Sequence, residues 1–448
     1  MSLQRHILSL FIIIIVSFGA CYCSKVQEGP LSSINVHDSP SIDDDYGWTF
    51  KNFIKQTIDF FSSNEVVNEG CTKPLLRTIN VNDYGAIGNG LDDNSVAFKE
   101  AWQAACSYDG DVILVVSEGD YLLKPIKFSG PCKSNITVEI CGTLEASNER
   151  SDYSGYFKRY WIIFDSVEKL SVNGGGTLNG NGNIWWENSC KRNKKKPCKD
   201  APTAVTFHKC KDLTVEDLTI VNAQQMHVRI QDTVNVNASG LKVTAPENSP
   251  NTDGIHVTNS QIVQISSSVI GTGDDCISIV DGTSELIATD ITCGPGHGIS
   301  IGSLGARGAK EFVTGIKVNG AKLSGTKNGV RIKTWQGGSG MASNIEFRNI
   351  EMENVTNPII IDQNYCDKKE SCQKQKSAVQ IKNVLYQNIS GTSASDVAVN
   401  FDCSESFPCK GIIMQNIDLQ GEGGKYVEAS CNNVQFSYLE DVNPSCCS

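Results

Sequence analysis

Short runs of apolar and β-branched residues recur from about residue 160 onward, and this repeat constrains the fold more than any other feature. Marker positions are Val215, Val236, Ile265, Ile287, Val318, Phe347, Ile381 and Met414. All steps between successive markers fall within the period of roughly 20–50 residues that is typical of solenoids and other repeat arrays.

The residues within each unit favour β-structure. Gly and Asn divide the short runs, and no helical 3.6-residue pattern lies between them, which excludes repeats that contain helices. The predicted fold is therefore all-β, a parallel β-helix. A β-sandwich is the alternative, but sandwiches carry hairpin signals between tight strand pairs. Here the Asn-Gly pairs, such as 89–90 and 319–320, do not punctuate every unit.

The N-terminal segment has the features of a secretory signal. Arg5 precedes an apolar run from Leu8 to Ala20, and small residues follow; this order predicts a signal peptide over residues 1–23. The run is too short for a membrane span, and the alternative is a buried core helix. Residues 24–76 are acidic and predict an N-terminal extension or propeptide, or else a first capping element. The catalytic domain is predicted over residues 77–448.

The net charge and the cysteine content limit the possible binding partners and the cellular compartment. The net charge of −11 argues against a nucleic-acid or membrane-binding protein, so an anionic substrate must meet a few local cations. Eighteen cysteines, two of them in the signal region, indicate disulfides in a secreted, extracellular protein. Short loops could close between Cys366 and Cys372 and between Cys403 and Cys409. Sequons predict glycans at Asn135, Asn237, Asn354 and Asn388.

Three carboxylates and a histidine follow the repeat. Asp253, Asp275 and His297 are equally spaced in the sequence, and the interval between them matches the shorter steps. Because residues one coil apart stack on the same face, we expect these side chains, with Asp274, to lie along one wall. Three more candidates follow at intervals that match the longer steps: Arg331, Lys333 and Tyr365.

This combination suits the hydrolysis of an acidic sugar polymer. Inverting glycosidases need one protonated carboxylic acid and one carboxylate that activates water. Clustered acids repel, so one of them keeps its proton to higher pH. Cations beside the acids suit a sugar that itself carries a carboxylate. Taken singly, the same residues could be a turn, a calcium site, an exposed loop or a charged strand face.

Four motifs in order resemble the polygalacturonases of glycoside hydrolase family 28. They stand at Asn251–Asp253, Gly273–Asp275, Cys293–Gly298 and Arg331–Lys333. An N-terminal segment from Tyr84 to Cys106 also matches, and the resemblance covers most of residues 80–445. In detail, the stretch 249–257 is similar to that of plant endo-polygalacturonases associated with abscission and pod dehiscence.

The resemblance implies a right-handed parallel β-helix fold. It also implies an enzyme that hydrolyses α-1,4-linked galacturonan with inversion and needs no metal and no cofactor. It implies that Asp274 is the general acid and holds the catalytic proton. Asp253 and Asp275 would hold and deprotonate the water, and His297 would sustain the acid. Three residues would bind the substrate: Arg331 and Lys333 a galacturonate carboxylate, and Tyr365 the adjoining subsite. Strict alternation would send Asp274 and Asp275 to opposite faces, so we expect a bulge or strand end there.

Several predictions rest on less evidence. Cys276 and Cys293 flank the catalytic motifs and are predicted to form a disulfide, although each could pair elsewhere. A basic segment from Lys191 to Lys196 is either a solvated turn or a docking site for pectin. The rivals for function are a pectate lyase, a non-catalytic wall-binding protein, and an exo-acting hydrolase or one for substituted galacturonan. The expected partner is polygalacturonan, and the expected state is a monomer.

Overall fold

The structure is a computed structural model that describes residues 76–192, 194–197, 201–367 and 372–446. The predicted signal peptide and nearly all of the acidic extension lie outside these residues. No helix in the described part of the chain has the length and apolar character needed to cross a membrane.

Short strands fill the first half of the described chain. In order they are β1 (Arg77–Asn80), β2 (Asn89–Asp93), β3 (Asp111–Val116), β4 (Asp120–Leu123), β5 (Ile126–Ser129), β6 (Asn135–Ile140), β7 (Thr143–Ala146), β8 (Tyr160–Asp165), β9 (Glu168–Asn173), β10 (Thr177–Asn179), β11 (Thr203–His208), β12 (Lys211–Glu216), β13 (Thr219–Val221), β14 (Val228–Gln231), β15 (Val234–Ser239) and β16 (Lys242–Thr244). Two helices interrupt them, α1 (Ser95–Ser107) and the single turn α2 (Asn183–Trp186).

Longer strands alternate with short ones in the second half. They are β17 (Ile255–Thr258), β18 (Gln261–Gly271), β19 (Ile277–Ile279), β20 (Ser284–Cys293), β21 (Ile299–Leu304), β22 (Lys310–Ser324), β23 (Asn328–Trp335), β24 (Ser339–Val355), β25 (Asn357–Tyr365), β26 (Gln380–Ser393), β27 (Val397–Asp402), β28 (Cys409–Gly421), β29 (Glu428–Asn432) and β30 (Val434–Asn443). Short 3₁₀ turns lie at Val81–Tyr84, Arg150–Asp152, Gly155–Arg159 and Ala306–Gly308.

Each coil pairs in parallel with the coil before and after it. Eleven strands form sheet B, namely β5, β8, β11, β14, β17, β19, β21, β23, β25, β27 and β29, and the other described strands form sheet A. The fold is a right-handed parallel β-helix, so the predicted fold class is confirmed and the sandwich alternative is wrong.

The pairing of strands between coils corrects the repeat predicted from the sequence in two respects. Coils begin at β1, well before residue 160, since β1 already pairs with β3 and β3 with β6. The sequence markers are also not all equivalent, because Val215 pairs with Ala238 rather than Val236. The step between paired residues varies, from 22 positions between β17 and β19 to 43 positions between β8 and β11. Loops of different length between the strands cause this variation and obscure the period.

Stacked aromatic rings form part of the core in the first coils. Phe128, Phe164 and Phe207 occupy one register position on β5, β8 and β11. Their ring centroids lie 5.1 Å and 5.4 Å apart in stacked geometry. Helix α1 packs on this end through Phe98 and Trp102, which are buried. Repeat proteins need such a cap because the terminal coil has no neighbour to cover its apolar face.

Disulfides close loops along the helix. The expected bond between Cys276 and Cys293 is present in the structure, with a Cα–Cα distance of 6.0 Å. The two short loops that the sequence suggested also close: Cys366 bonds to Cys372 and Cys403 to Cys409. Further bonds join Cys106 to Cys132 and Cys431 to Cys446. Crosslinks of this kind stabilise a fold mainly by restricting the unfolded chain.

The asparagines of the four sequons differ in the hydrogen bonds that their side-chain amides make. Asn388 belongs to an asparagine ladder: it donates to Asn349 at 2.8 Å and accepts from Asn416 at 3.0 Å. Asn135 and Asn237 donate to carboxylates of adjacent coils. Asn354 is exposed. Glycosylation at all four stays a prediction.

One buried hydroxyl generates a test of the core. Tyr386 is fully buried, its hydroxyl has no hydrogen-bond partner among the described residues, and burial raises its pKa. We expect Tyr386→Phe to raise the free energy of unfolding by about 1–3 kcal/mol, because it removes an unsatisfied polar group. Urea denaturation measures this change.

The matched control is Phe347→Ala. Phe347 stacks on Tyr386 with centroids 5.4 Å apart, and its truncation should cost about 3–5 kcal/mol. A Tyr386→Phe variant that is less stable than the native protein would show that the hydroxyl has a partner.

Candidate active site

The predicted acid column lies at one edge of sheet B. Ile255, Ile277 and Ile299 occupy one register position on β17, β19 and β21. The residue two positions before each of these isoleucines therefore occupies an equivalent place just before its strand. These three residues are Asp253, Asp275 and His297, and their constant spacing corresponds to one coil at this point of the helix.

Asp274 and Asp275 share the cleft because they precede β19 rather than lie within it. Alternation applies only inside a strand, so the expected strand end is what the structure contains. Asp275 is deeply buried, with 3% of its side chain exposed, whereas Asp274 is 18% exposed. Asp274 is therefore the member of the pair that a bound sugar can reach more easily.

Two cations and a hydroxyl hold the buried carboxylate. Arg331 Nη2 donates to Asp275 Oδ1 at 2.8 Å, and Lys333 Nζ donates to Oδ2 at 2.9 Å. Ser300 Oγ donates to Oδ1 at 2.9 Å and accepts from Arg331 Nε at 3.0 Å. Both cations are nearly as buried as the acid, so this cluster is a desolvated, fixed network.

The cations reach the site differently from the sequence expectation. Arg331 pairs in register with Ser300, not with His297, and Tyr365 pairs with Trp335 rather than Arg331. The expectation that they continue the acid column is wrong. Arg331 and Lys333 lie inside β23 on the outer face of sheet B, and their long side chains extend back to Asp275.

His297 contacts Asp274 twice. Its Nδ1 lies 3.0 Å from Asp274 Oδ1, and its backbone N–H donates to the Asp274 carbonyl oxygen at 2.8 Å. The flanking Gly296 and Gly298 have φ of 148° and 81°. A Cβ at Gly298 would clash with the Asn328 carbonyl oxygen. The glycines therefore let the loop pass close enough for the imidazole to reach the acid.

Three polar residues beside the acids were missed from the sequence. Ser278 Oγ donates to Asp253 Oδ2 at 2.7 Å, and His256 Nδ1 lies 2.7 Å from the same hydroxyl. His256, Ser278 and Ser300 are stacked in register on β17, β19 and β21. Their spacing in the sequence equals that of the acid column, so the interval that found the acids could have found them.

Asp253 and Asp274 have proton affinities that are shifted in opposite directions. Burial, and then the charge of Asp274, raises the pKa of Asp253. Burial also acts to raise the pKa of Asp274, but the hydrogen bond and charge of His297 and the charge of Lys333 outweigh it, so this pKa is lowered. In the free site Asp253 therefore keeps its proton to higher pH than Asp274 does.

A metal ion is a poor fit for this cluster. Ligand atoms of Asp274, Asp275 and His297 lie within 4.8 Å of one another, close enough to surround an ion. Both oxygens of Asp275, however, already accept from cations. A divalent ion would have to displace or oppose these two charges. The donors and acceptors present suit a water molecule better.

Tyr365 closes the cleft beside the cations. Lys333 Nζ lies 5.8 Å from the centre of its ring, and Trp335 packs edge-on against it at 5.0 Å. Burial, then the charge of Asp367, raises the pKa of Tyr365 to about 12. The phenol is therefore a neutral hydrogen-bond donor at physiological pH. The structure brings together all seven residues predicted for catalysis and substrate binding.

A parallel β-helix whose open face carries clustered carboxylates, a histidine and fixed cations defines a carboxylate-dependent glycoside hydrolase. The sequence comparisons agree, because the family model described as glycosyl hydrolases family 28 matches residues 106–447. The chain belongs to glycosyl hydrolases family 28.

Named relatives support the family over the full length. A polygalacturonase of Malus domestica is 52% identical over 468 aligned residues, which cover 100% of both chains. Polygalacturonase-2 of Solanum lycopersicum is 52% identical, with 100% of this chain and 97% of that protein covered. Among solved structures, a hyperthermoactive exopolygalacturonase from Thermotoga maritima gives a TM-score of 0.67 at 21% identity, covering 85% of this chain and 96% of its own. That last similarity establishes the fold alone.

A half-buried acid on the outer face of sheet B gives a pH-dependent test. Asp362 pairs in register with Lys333, and burial raises its pKa to about 6. Its raised pKa contributes stability that is present below about pH 4 and lost as the pH rises through 6. We expect Asp362→Asn to add up to about 3 kcal/mol to the free energy of unfolding above pH 6.

Urea denaturation at pH 4 and pH 7 checks this expectation. At pH 4 the Asp362→Asn variant should gain little free energy of unfolding. Asp396→Asn, at an exposed acid, is the control and should show no such difference. Equal stability of Asp362→Asn and the native protein at pH 7 would contradict the raised pKa.

Proposed function

We propose that this chain is a secreted endo-polygalacturonase that hydrolyses α-1,4-galacturonosyl bonds of pectin with inversion. The observation that supports this most is Asp275, held by Arg331 and Lys333 beside two further acids. Such cations can bind a sugar carboxylate, which a neutral sugar lacks. The full-length similarity to plant polygalacturonases supports the same substrate.

In the proposed mechanism, Asp274 donates the proton to the leaving oxygen. It is the more exposed acid of the pair, and His297 contacts its Oδ1. A general acid of this kind typically contributes about 10²–10⁴ in rate. His297 positions the carboxyl group and, through its hydrogen bond, governs which oxygen carries the proton.

Asp253 and Asp275 hold and activate the attacking water. Asp275 pairs with two cations, and a carboxylate in its ionised form accepts a proton from water. Asp253 is fixed by Ser278, whose hydroxyl donates to it at 2.7 Å. Inversion requires the water to approach from the face opposite the acid, and a pair of carboxylates can orient it there.

Substrate binding favours the uptake of a proton from solvent by Asp274. In the free site, the charge of Lys333 helps to lower the pKa of Asp274. A galacturonate carboxylate bound by Arg331 and Lys333 would offset that charge. The pKa of Asp274 would then rise towards the value that a general acid needs. The substrate thus favours the protonated acid at the moment it is required.

The main alternative is an exo-acting enzyme or one for substituted galacturonan. The decisive experiment is to size the products from polygalacturonate early in digestion. A ladder of oligomers with a rapid fall in viscosity supports internal cleavage, whereas galacturonate alone supports exo-action. A pectate lyase would instead give unsaturated, ultraviolet-absorbing ends. A wall-binding protein without activity would give no products.

The proposed substrate indicates where the enzyme acts. Pectin lies in the cell wall, and the N-terminal residues resemble a secretory signal. Disulfides along the helix suit an oxidising compartment. We propose a secreted, monomeric enzyme that loosens the wall during cell separation, and that its mature catalytic domain begins near residue 77.

Replacement of the acid tests its assigned role. We expect Asp274→Asn to lower kcat on polygalacturonate by about 10²–10⁴-fold or more while leaving the melting temperature and substrate binding nearly unchanged. Steady-state reducing-end assays and calorimetric titration with oligogalacturonate measure these quantities. Glu351→Gln, at an exposed carboxylate of sheet A, is the matched control. An Asp274→Asn enzyme that keeps more than a tenth of native turnover would remove the assignment.

A further inference from the structure

Two loops leave sheet B at opposite edges and meet. The loop that contains Lys191 lies before β11, at the edge where Asp253, Asp274 and His297 precede their strands. Asp367 lies two residues after the end of β25 and is therefore at the other edge. Lys191 Nζ lies 2.7 Å from Asp367 Oδ2, although the two residues are 176 positions apart.

The topology directs this ion pair across the outer face of sheet B. The inner face of the sheet is filled by the core, so the short path between its two edges crosses the outer face. That face carries His256, Ser278, Ser300 and Arg331 in successive register. The charge of Asp367 also contributes to the raised pKa of Tyr365, which places the acid beside the proposed substrate site.

A disulfide-bonded cysteine lies next to each residue of the ion pair. Lys191 directly follows Cys190, which is disulfide-bonded, and Asp367 directly follows Cys366, which bonds to Cys372. Bonds at these positions restrict the loops before the charges meet, so less conformational entropy is lost on pairing. The two side chains remain 47% and 52% exposed, and an exposed pair is weak enough to open and close.

We propose that Lys191 and Asp367 form a clasp, which closes over a bound galacturonan chain and retains it between successive cuts. The inference rests on the proposed function. The clasp must open for a polymer to enter from the side, which internal cleavage requires. Once closed, it encloses the chain between the cleft floor and the ion pair. The enzyme then makes several cuts in one chain before it releases that chain.

The experiment compares internal scission with product release on long polygalacturonate. The quantity measured is the ratio of short oligomers released to the fall in viscosity. We expect Lys191→Ala and Asp367→Ala each to lower this ratio about 1.5- to 5-fold, the range that an exposed ion pair supplies. High salt should have the same effect on the native enzyme, because it screens exposed charges.

Three controls separate a clasp from other roles. The charge-swapped double variant, Lys191→Asp with Asp367→Lys, should restore the ratio. Lys410→Ala, at an exposed lysine of sheet A, should leave it unchanged. All variants should keep the native kcat/KM on tetragalacturonate, which is too short to need retention.

Each contrary result has a distinct meaning. Unchanged ratios in both single variants, or no recovery in the charge-swapped variant, would overturn the clasp and leave the polygalacturonase proposal intact. An equal loss on tetragalacturonate would also overturn it, because the residues would then act as an ordinary sugar-binding subsite. A native protein that does not cut polygalacturonate at all would overturn the proposed function and the clasp together.

Discussion

The buried ion pairs of Asp275 with Arg331 and Lys333 are the interactions on which the cleft depends. Desolvating three charged groups is costly, and it is offset only when every partner is in place. Here two cations and the Ser300 hydroxyl satisfy the carboxylate. Removing one partner from such a cluster typically costs about 3–5 kcal/mol, so these residues define both the charge and the shape of the site.

The β-helix places this cluster by stacking. Parallel pairing puts equivalent residues of successive coils about 4.8 Å apart, and a constant step between coils keeps Asp253, Asp275 and His297 aligned. The acids stand where strands begin, which frees adjacent residues from alternation. The cations stand within β23, where alternation directs Arg331 and Lys333 outward. The acids therefore lie at one edge of the sheet, and the cations that pair with carboxylates lie on its outer face.

Sequence reasoning succeeded where the coil step was constant and failed where it changed. It predicted the β-helix and the acid column because coils from β17 to β21 share one length. It misjudged the column of Arg331, since the coil that leads to β23 is lengthened by the longer strands β21 and β22. It gave no order in which Asp253 and Asp274 lose their protons in the free site, where the pKa of Asp253 is raised and that of Asp274 is lowered. That order depends on the positions of His297 and Lys333 around the acids, which no linear pattern encodes.

The anomeric form of the first product tests the account most directly. In the proposed arrangement Asp274 protonates the leaving oxygen while Asp253 and Asp275 deliver water to the opposite face. Proton NMR during the first minutes of oligogalacturonate cleavage, before mutarotation, reports the new reducing end. The account predicts the β anomer from an α linkage. A product formed first as the α anomer would mean that a carboxylate attacks the sugar, and it would contradict the central assignment.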